Sequence, residues 1–299
     1  MRTSCRLRLV VEFPFGLFPN IPLPYYQAVA NLNPQAKQMA DESMVRNLDG
    51  QARAIWPQEV PLLCRYSLPP EPSILDAGCG TGEASSRLAE LFPRATVLGV
   101  DILDSHLDLA RSRYTLLAPR LRFEHQSVYE LRAAEHSFDL TVCRHVLHSI
   151  PQPERALAEL ARVTRPGGYL HVIAEDYGML HFQRAPLDPR DFWHEVPVTF
   201  ARATGTDLFI GRDAFSIFAA MKLDEIRVDY IVVDTIRVPR ETFAAIIEAW
   251  RDGYSESIAE HTKFSQEQAV AYFDQMIATI RHARGYAVWM VPVVSARLP

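Results

Sequence analysis

The apolar positions of this chain keep two rhythms, and the rhythm changes at Ser73. Before it, apolar residues recur at three- and four-residue spacing in QAKQMADESMVRNL (35–48) and QARAIWPQEVPLLCRY (51–66). Residues 25–66 therefore read as helical in pieces. SLPPEPS (67–73) breaks the chain and marks a boundary. Beyond it, short apolar runs alternate with amphipathic stretches. SILDAG is a strand, EASSRLAELFP a helix stopped by Pro93, and ATVLGVD a second strand. DSHLDLARSRY is a helix with Asp104 as its N-cap, followed by the strands LRFEHQSV and SFDLTVCRH. QPERALAELARVTRPGG has proline in its first turn and glycine past its end, a helix signature, and YLHVIAED is a fifth strand.

Residues 177–211 are irregular and aromatic. DAFSIFAAMKL then reads as a helix, DEIRVDYIVVDT as a sixth strand, and RETFAAIIEAWRDGY and SQEQAVAYFDQMIATIRHA as helices. YAVWMVPVVSARLP closes the chain as a β-rich run, with Pro292 implying an edge position or a bulge. Strands alternating with helices predict an α/β fold, Rossmann-like and doubly wound on a mostly parallel sheet. The organisation expected is an N-terminal arm and helical cap (1–66), a core (67–239) with a lid insertion (177–211), a helical insertion (240–284) and a last strand (285–299).

Composition narrows the function. With 299 residues, 48% of them hydrophobic, a large core is available. The net charge of −5 and the absence of any run of five Lys or Arg argue against a nucleic-acid partner. Cys5, Cys64, Cys79 and Cys143 form no CxxC pair, so reduced thiols, a cytoplasmic location and no metal site are expected. The uncharged stretch 13–36 carries Pro14, Pro19, Pro22, Pro24 and Pro34, which excludes a membrane helix there. Arg6, Arg8 and Glu12 make the preceding run a poor signal peptide. The arm FPFGLFPNIPLPYY is expected to fold over the site, or across a second copy in a homodimer.

The chemistry concentrates in ILDAGCGTGEASSRLA (74–89). Gly78, Gly80 and Gly82 alternate, and Glu83 stands where the dinucleotide fingerprint G-x-G-x-x-G puts its third glycine. Asp76 precedes the loop, and its carboxylate suits a cationic amine and opposes a pyrophosphate. Asp101 ends the second strand and can accept hydrogen bonds from both hydroxyls of a ribose. Together these features suit a nucleoside that bears an amino acid.

Residues 73–175 resemble a class I S-adenosylmethionine-dependent methyltransferase. LDAGCGTGEAS is similar to the family's first motif, VLGVDI to its second, SFDLTVCRHVLHSIP to its fourth-strand segment, and PERALAELARVTRPGGYLHVIAE to its late helix–strand motif. The resemblance implies a seven-stranded sheet whose last strand is antiparallel, S-adenosyl-L-methionine as cofactor and S-adenosyl-L-homocysteine as product. It implies that Asp76, with its neighbours Ala77 and Cys79, meets the methionine amino group. Gly78 and Gly80 admit the cofactor, Asp101 binds the ribose, and Ile102 packs on the adenine. Ser127, followed by Val128, stands where many members carry an acidic residue on the adenine amino group. Cys143 and Arg144 end the fourth strand near the methionine. Cys79 and Cys143 also read as small packing residues side by side.

The acceptor is a small molecule, of a kind expected in specialised metabolism. His145 is a candidate general base, since imidazole titrates near neutrality, and His148 follows it; the plainer reading is a polar start to a helix. Glu175 and Asp176 point to recognition of an amine, giving a slight lean to nitrogen over oxygen or carbon, though adjacent strand residues face opposite ways. Tyr25, Tyr26, His148, Tyr177 and Trp193 are candidate acceptor contacts, against the plainer reading of core aromatics. Competing readings are a cofactor-binding protein with a non-methylating reaction, a protein- or RNA-modifying methyltransferase, and a nicotinamide enzyme.

Overall fold

The computed structural model describes residues 33–299, so the arm with Tyr25 and Tyr26 lies outside the described residues. The described chain opens with α1 (Ala36–Met39) and α2 (Glu42–Leu63). Asp41 caps α2 by accepting the Ser43 N–H at 2.9 Å. The two helical pieces expected there are one 22-residue helix that runs through Pro57 and Pro61. Tertiary packing overrides the two prolines: Met44, Ile55 and Leu63 are buried on one face. A Cβ on Gly50 would stand 3.0 Å from Ile246, so α2 and the later helix α8 (Arg240–His261) approach closely there.

Then β1 (Ser73–Ala77), α3 (Glu83–Leu91), β2 (Thr96–Asp101), α4 (Asp104–Arg113), β3 (Leu121–His125), β4 (Phe138–Arg144), α5 (Pro153–Val163) and β5 (Thr164–Ile173) alternate as the sequence pattern predicts. Asp104 is the first residue of α4, not its cap, and its carboxylate holds His125 Nδ1 at 2.9 Å. The α5 helix stops at Val163, and Gly167 and Gly168 fall in β5, beside an irregularity in its pairing with β4.

The stretch 177–211 is not irregular. It holds β6 (Leu180–Phe182) and the 16-residue α6 (Pro189–Thr204), capped by Asp188 and ended by Gly205 at φ 70°. After it come α7 (Ala214–Ala220), β7 (Asp224–Asp234), α8, α9 (Gln266–Arg281) and β8 (Ala287–Arg297).

The sheet has eight strands, one more than expected. β3, β2, β1, β4 and β5 run parallel in that order. β8 lies antiparallel between β5 and β7, and short β6 continues along the β5 edge of β8. Pro292 is therefore in an interior strand. Its carbonyl accepts the Ala174 N–H at 3.2 Å, so its nitrogen faces the gap where β8 passes from β5 to β6, and no ladder bond is lost. At the outer edge of β7, the Gln58 amide from α2 bonds both the N–H and the C=O of Val232, at 3.1 and 2.9 Å. A side chain thus occupies an open strand edge. Among the described residues no helix is long and apolar enough to cross a membrane.

Candidate active site

β1 and β4 are neighbours although α3, β2, α4 and β3 lie between them in the chain. The strand order reverses between them, and outside the carboxyl ends at such a point is where open α/β sheets hold ligands. A cavity opens at this point, with about 940 Å³ of empty space counting its open mouth. The glycine loop forms its floor. Gly78 and Gly80 have φ of 75° and 52°, left-handed values that favour glycine. A Cβ on Gly78 would come within 2.3 Å of Val146, and one on Gly80 within 2.8 Å of Leu48. The Gly78 and Cys79 N–H groups both donate to Val100 O, which ties the loop to β2.

Asp101 lines the cavity. Its Oδ2 accepts the Gly80 N–H at 2.8 Å and its Oδ1 the Leu103 N–H at 2.9 Å. A carboxylate offers about four lone-pair sites, so room remains for two hydroxyl donors. Ile102, Ser127, Val128, Arg144, His145, His148 and Tyr177 also line the cavity, together with Gly78 and Gly80. Asp76, Ala77, Cys79 and Cys143 lie behind it. Asp76 is buried and accepts the Ser85 hydroxyl at 2.6 Å; burial pushes its carboxyl up to about 6 against the pull of Ser85. Burial also pushes both thiols up. Cys79 packs with Leu88 and Phe123, whereas Cys143 packs with Leu157 and Val172, so the two are not side by side.

Arg144 is held from α2. Its Nη2 stands 2.8 Å from Glu59, which is fully buried and also bonds His171 Nε2 at 3.2 Å. Burial alone would raise the Glu59 carboxyl; Arg144 and His171 outweigh that and hold it at about 2.

His145 and His148 share one buried carboxylate. Glu175 Oε1 bonds His145 Nδ1, and Glu175 Oε2 lies 2.6 Å from His148 Nδ1. Burial alone would raise Glu175; the two histidines hold it well below the usual carboxylate range. His145 has φ 59°, a conformation uncommon outside glycine and enriched at functional sites. Its Nε2 is buried and finds no partner among the described residues. Asp176 faces the other way and is bonded by Arg212 at 2.6 Å. Neither carboxylate lines the cavity.

Residues the sequence reading passed over complete the walls. From α2, Asn47 and Gln51 present buried oxygens without partners among the described residues, and α8 contributes Trp250 and Tyr254. Trp193 lies in an adjoining apolar pocket, stacked on Tyr177 at 5.5 Å. The buried polar atoms without partners and the bare Cα positions of the loop fit a nucleoside bearing an amino acid.

Residues 75–172 match the family described as methyltransferase domain. Trans-aconitate 2-methyltransferase of Deinococcus radiodurans is 44% identical over 103 residues, 34% of this chain and 38% of that enzyme. The chain spans less than half the length of the curated relatives it matches. Among solved structures, phosphoethanolamine N-methyltransferase 2 of Haemonchus contortus with S-adenosylhomocysteine superposes at a TM-score of 0.52, with 18% identity, over 82% of this chain and 53% of that one. The [4+2]-cyclase SpnF superposes at 0.50, with 20% identity, over 81% of each chain. These two likenesses establish the fold. The chain thus carries, over residues 75–172, a class I methyltransferase domain whose cofactor is S-adenosyl-L-methionine.

Proposed function

We propose that this protein transfers a methyl group to a small-molecule acceptor whose reacting hydroxyl or acidic carbon must give up a proton. The observation that carries the reading is His145, held by Glu175 with its Nε2 unpartnered at the cavity wall. The slight lean toward nitrogen rested on Glu175 and Asp176, and both are engaged elsewhere.

Bound S-adenosylmethionine supplies an activated methyl on a sulfonium, open to in-line displacement. The chain's own work is alignment, exclusion of water and proton transfer. Asp101 is the ribose partner, Ile102 and Val128 pack on the base, Ser127 accepts from its amino group, and Arg144 with Asn47 and Gln51 receives the amino-acid end. Glu175 fixes the Nδ1 of His145 as donor, which leaves Nε2 to take the acceptor's proton. The acidic balance of the chain supports a small acceptor over nucleic acid. Acceptor choice belongs to the helical additions at 33–66, 177–211 and 240–284, outside the matched domain.

The test is release of S-adenosylhomocysteine from S-adenosylmethionine across matched panels of phenols, alcohols, amines and carbon acids. Turnover of hydroxyl or carbon acceptors that falls at least a hundredfold in His145→Ala supports the reading. Turnover of amines alone, or equal rates in the variant, overturns the base. Tight cofactor binding with no turnover of any acceptor points instead to a non-methylating reaction.

A further inference from the structure

Beside the cofactor cavity lies a second pocket, with about 460 Å³ of empty space counting its mouth. Tyr177, Trp250 and Tyr254 line both spaces, so the two adjoin. The second pocket lies between α6 and α8 and is walled by Trp193, Val196 and Phe200 of α6, Ile258 of α8, and Phe273 of α9.

Among the described residues no Asp, Glu, Lys, Arg or His lines it. A carboxylate would find no cation there and an ammonium no anion. Burial pushes the Tyr177 and Tyr254 hydroxyls up, so both remain neutral. Tyr177 and Trp193 stack face to face, with 10° between planes, which closes one face of each ring to a cation. Beside Tyr254, one of the shared residues, stands Gln35, 2% exposed. Its Oε1 accepts the Tyr254 hydroxyl at 2.9 Å, and its Nε2 has no partner among the described residues.

We infer that the acceptor is an uncharged, largely apolar molecule whose hydrocarbon body fills this aromatic pocket while its reacting group meets His145. It carries a hydrogen-bond acceptor for Gln35 Nε2. A charged substrate would have to be desolvated against walls that cannot pair it. The inference rests on the cofactor cavity proposed above, because the two spaces share a wall.

Four probes with one ring system test it by calorimetry on the full chain, with and without S-adenosylhomocysteine: 2-naphthol, 6-acetyl-2-naphthol, 2-naphthoate and a 2-naphthyl trimethylammonium. The expected result is that 2-naphthol binds at least tenfold tighter than either ion, and 6-acetyl-2-naphthol tighter still. Val196→Trp, which fills the pocket, should weaken both naphthols at least tenfold and leave S-adenosylhomocysteine affinity within threefold. Gln35→Leu should remove only the advantage of the acetyl probe. Equal or tighter binding of an ion, naphthol binding that competes with S-adenosylhomocysteine, or naphthol binding untouched by both variants overturns the inference. Failure of S-adenosylhomocysteine itself to bind overturns the cofactor reading, and the naphthol series run without it still decides this one.

Discussion

Arg144 Nη2 stands 2.8 Å from the carboxylate of Glu59, joining the last residue of β4 to the C-terminal part of α2 across 85 positions of sequence. Glu59 is fully buried and Arg144 nearly so. Removing one member leaves an uncompensated buried charge, which costs about 3–5 kcal/mol. Glu59→Gln is therefore expected to lower the unfolding free energy read by urea denaturation by that amount and to loosen the wall that Asn47 and Gln51 share. The pH sign follows from the direction of the shift. The carboxyl sits at about 2 in the fold against an ordinary 4.5, so its contribution is complete above pH 4.5 and drains away as pH falls toward 2. Wild type should lose stability across that window, and Glu59→Gln should lose less.

Asp76 has the opposite sign. Its folded value of about 6 lies above the ordinary 3.8, so the fold favours the protonated form. That contribution is full below 3.8 and vanishes as pH rises through 6. Above it, the ionised carboxylate is a burden. Asp76→Asn keeps an oxygen for the Ser85 hydroxyl and is expected to be more stable than wild type by about 2–3 kcal/mol near pH 8, with little difference near pH 3. Chemical unfolding at the two pH values measures it. Equal stabilities at pH 8 would show that the carboxylate is better solvated than its burial indicates.

Asp101 serves the loop and the ribose at once. Asp101→Ala should weaken S-adenosylhomocysteine at least tenfold, about 1.4 kcal/mol, by calorimetric titration, with NAD as the control that does not bind. Asp101→Asn should lose less, since its single carbonyl oxygen can replace only part of the set that holds Gly80 and Leu103.

Glu175 is expected to act through His145. Glu175→Gln should lower kcat by roughly 10²–10⁴-fold, the range that a positioned acid or base supplies, while cofactor affinity stays within threefold. A structural role alone would move stability and leave the pH–rate profile in place. A profile that shifts in Glu175→Gln identifies the carboxylate as the group that sets the imidazole's orientation and proton.

Much of this was legible locally. The alternation of apolar runs and amphipathic stretches from Ser73 to Ile173 gave the parallel half of the sheet, because each element there carries its own periodicity and stops. The glycine loop and Asp101 were legible because left-handed backbone and close approach demand particular residues at fixed offsets. Helix α6 lies within the aromatic stretch 177–211, with Pro189 in its first turn and Pro197 inside it. Asp188 before Pro189 and Gly205 after Thr204 are its cap, first-turn and stop signals, and they were on the page. The acid beneath the histidines was beyond reach of local pattern. Glu175 lies 30 residues from His145, and nothing in AEDYG tells which of its two carboxylates turns inward. The same holds for Glu59, which resembles any solvent-facing glutamate until β4 delivers Arg144 against it.

The place of β8 in the sheet sets an order of events during synthesis. β5 and β7 are both made before the strand that joins them, and the α8–α9 pair is made in between. Until β8 leaves the ribosome, β5 keeps an open row of backbone donors and acceptors, and β7 has no neighbour in the sheet at all. Such edges invite pairing with other chains. Trp289, which sits beside both His145 and Trp250, arrives with that same strand. A nascent chain can therefore assemble the glycine loop and Asp101 well before the acceptor side takes shape, and the cofactor's half of the site is ready first.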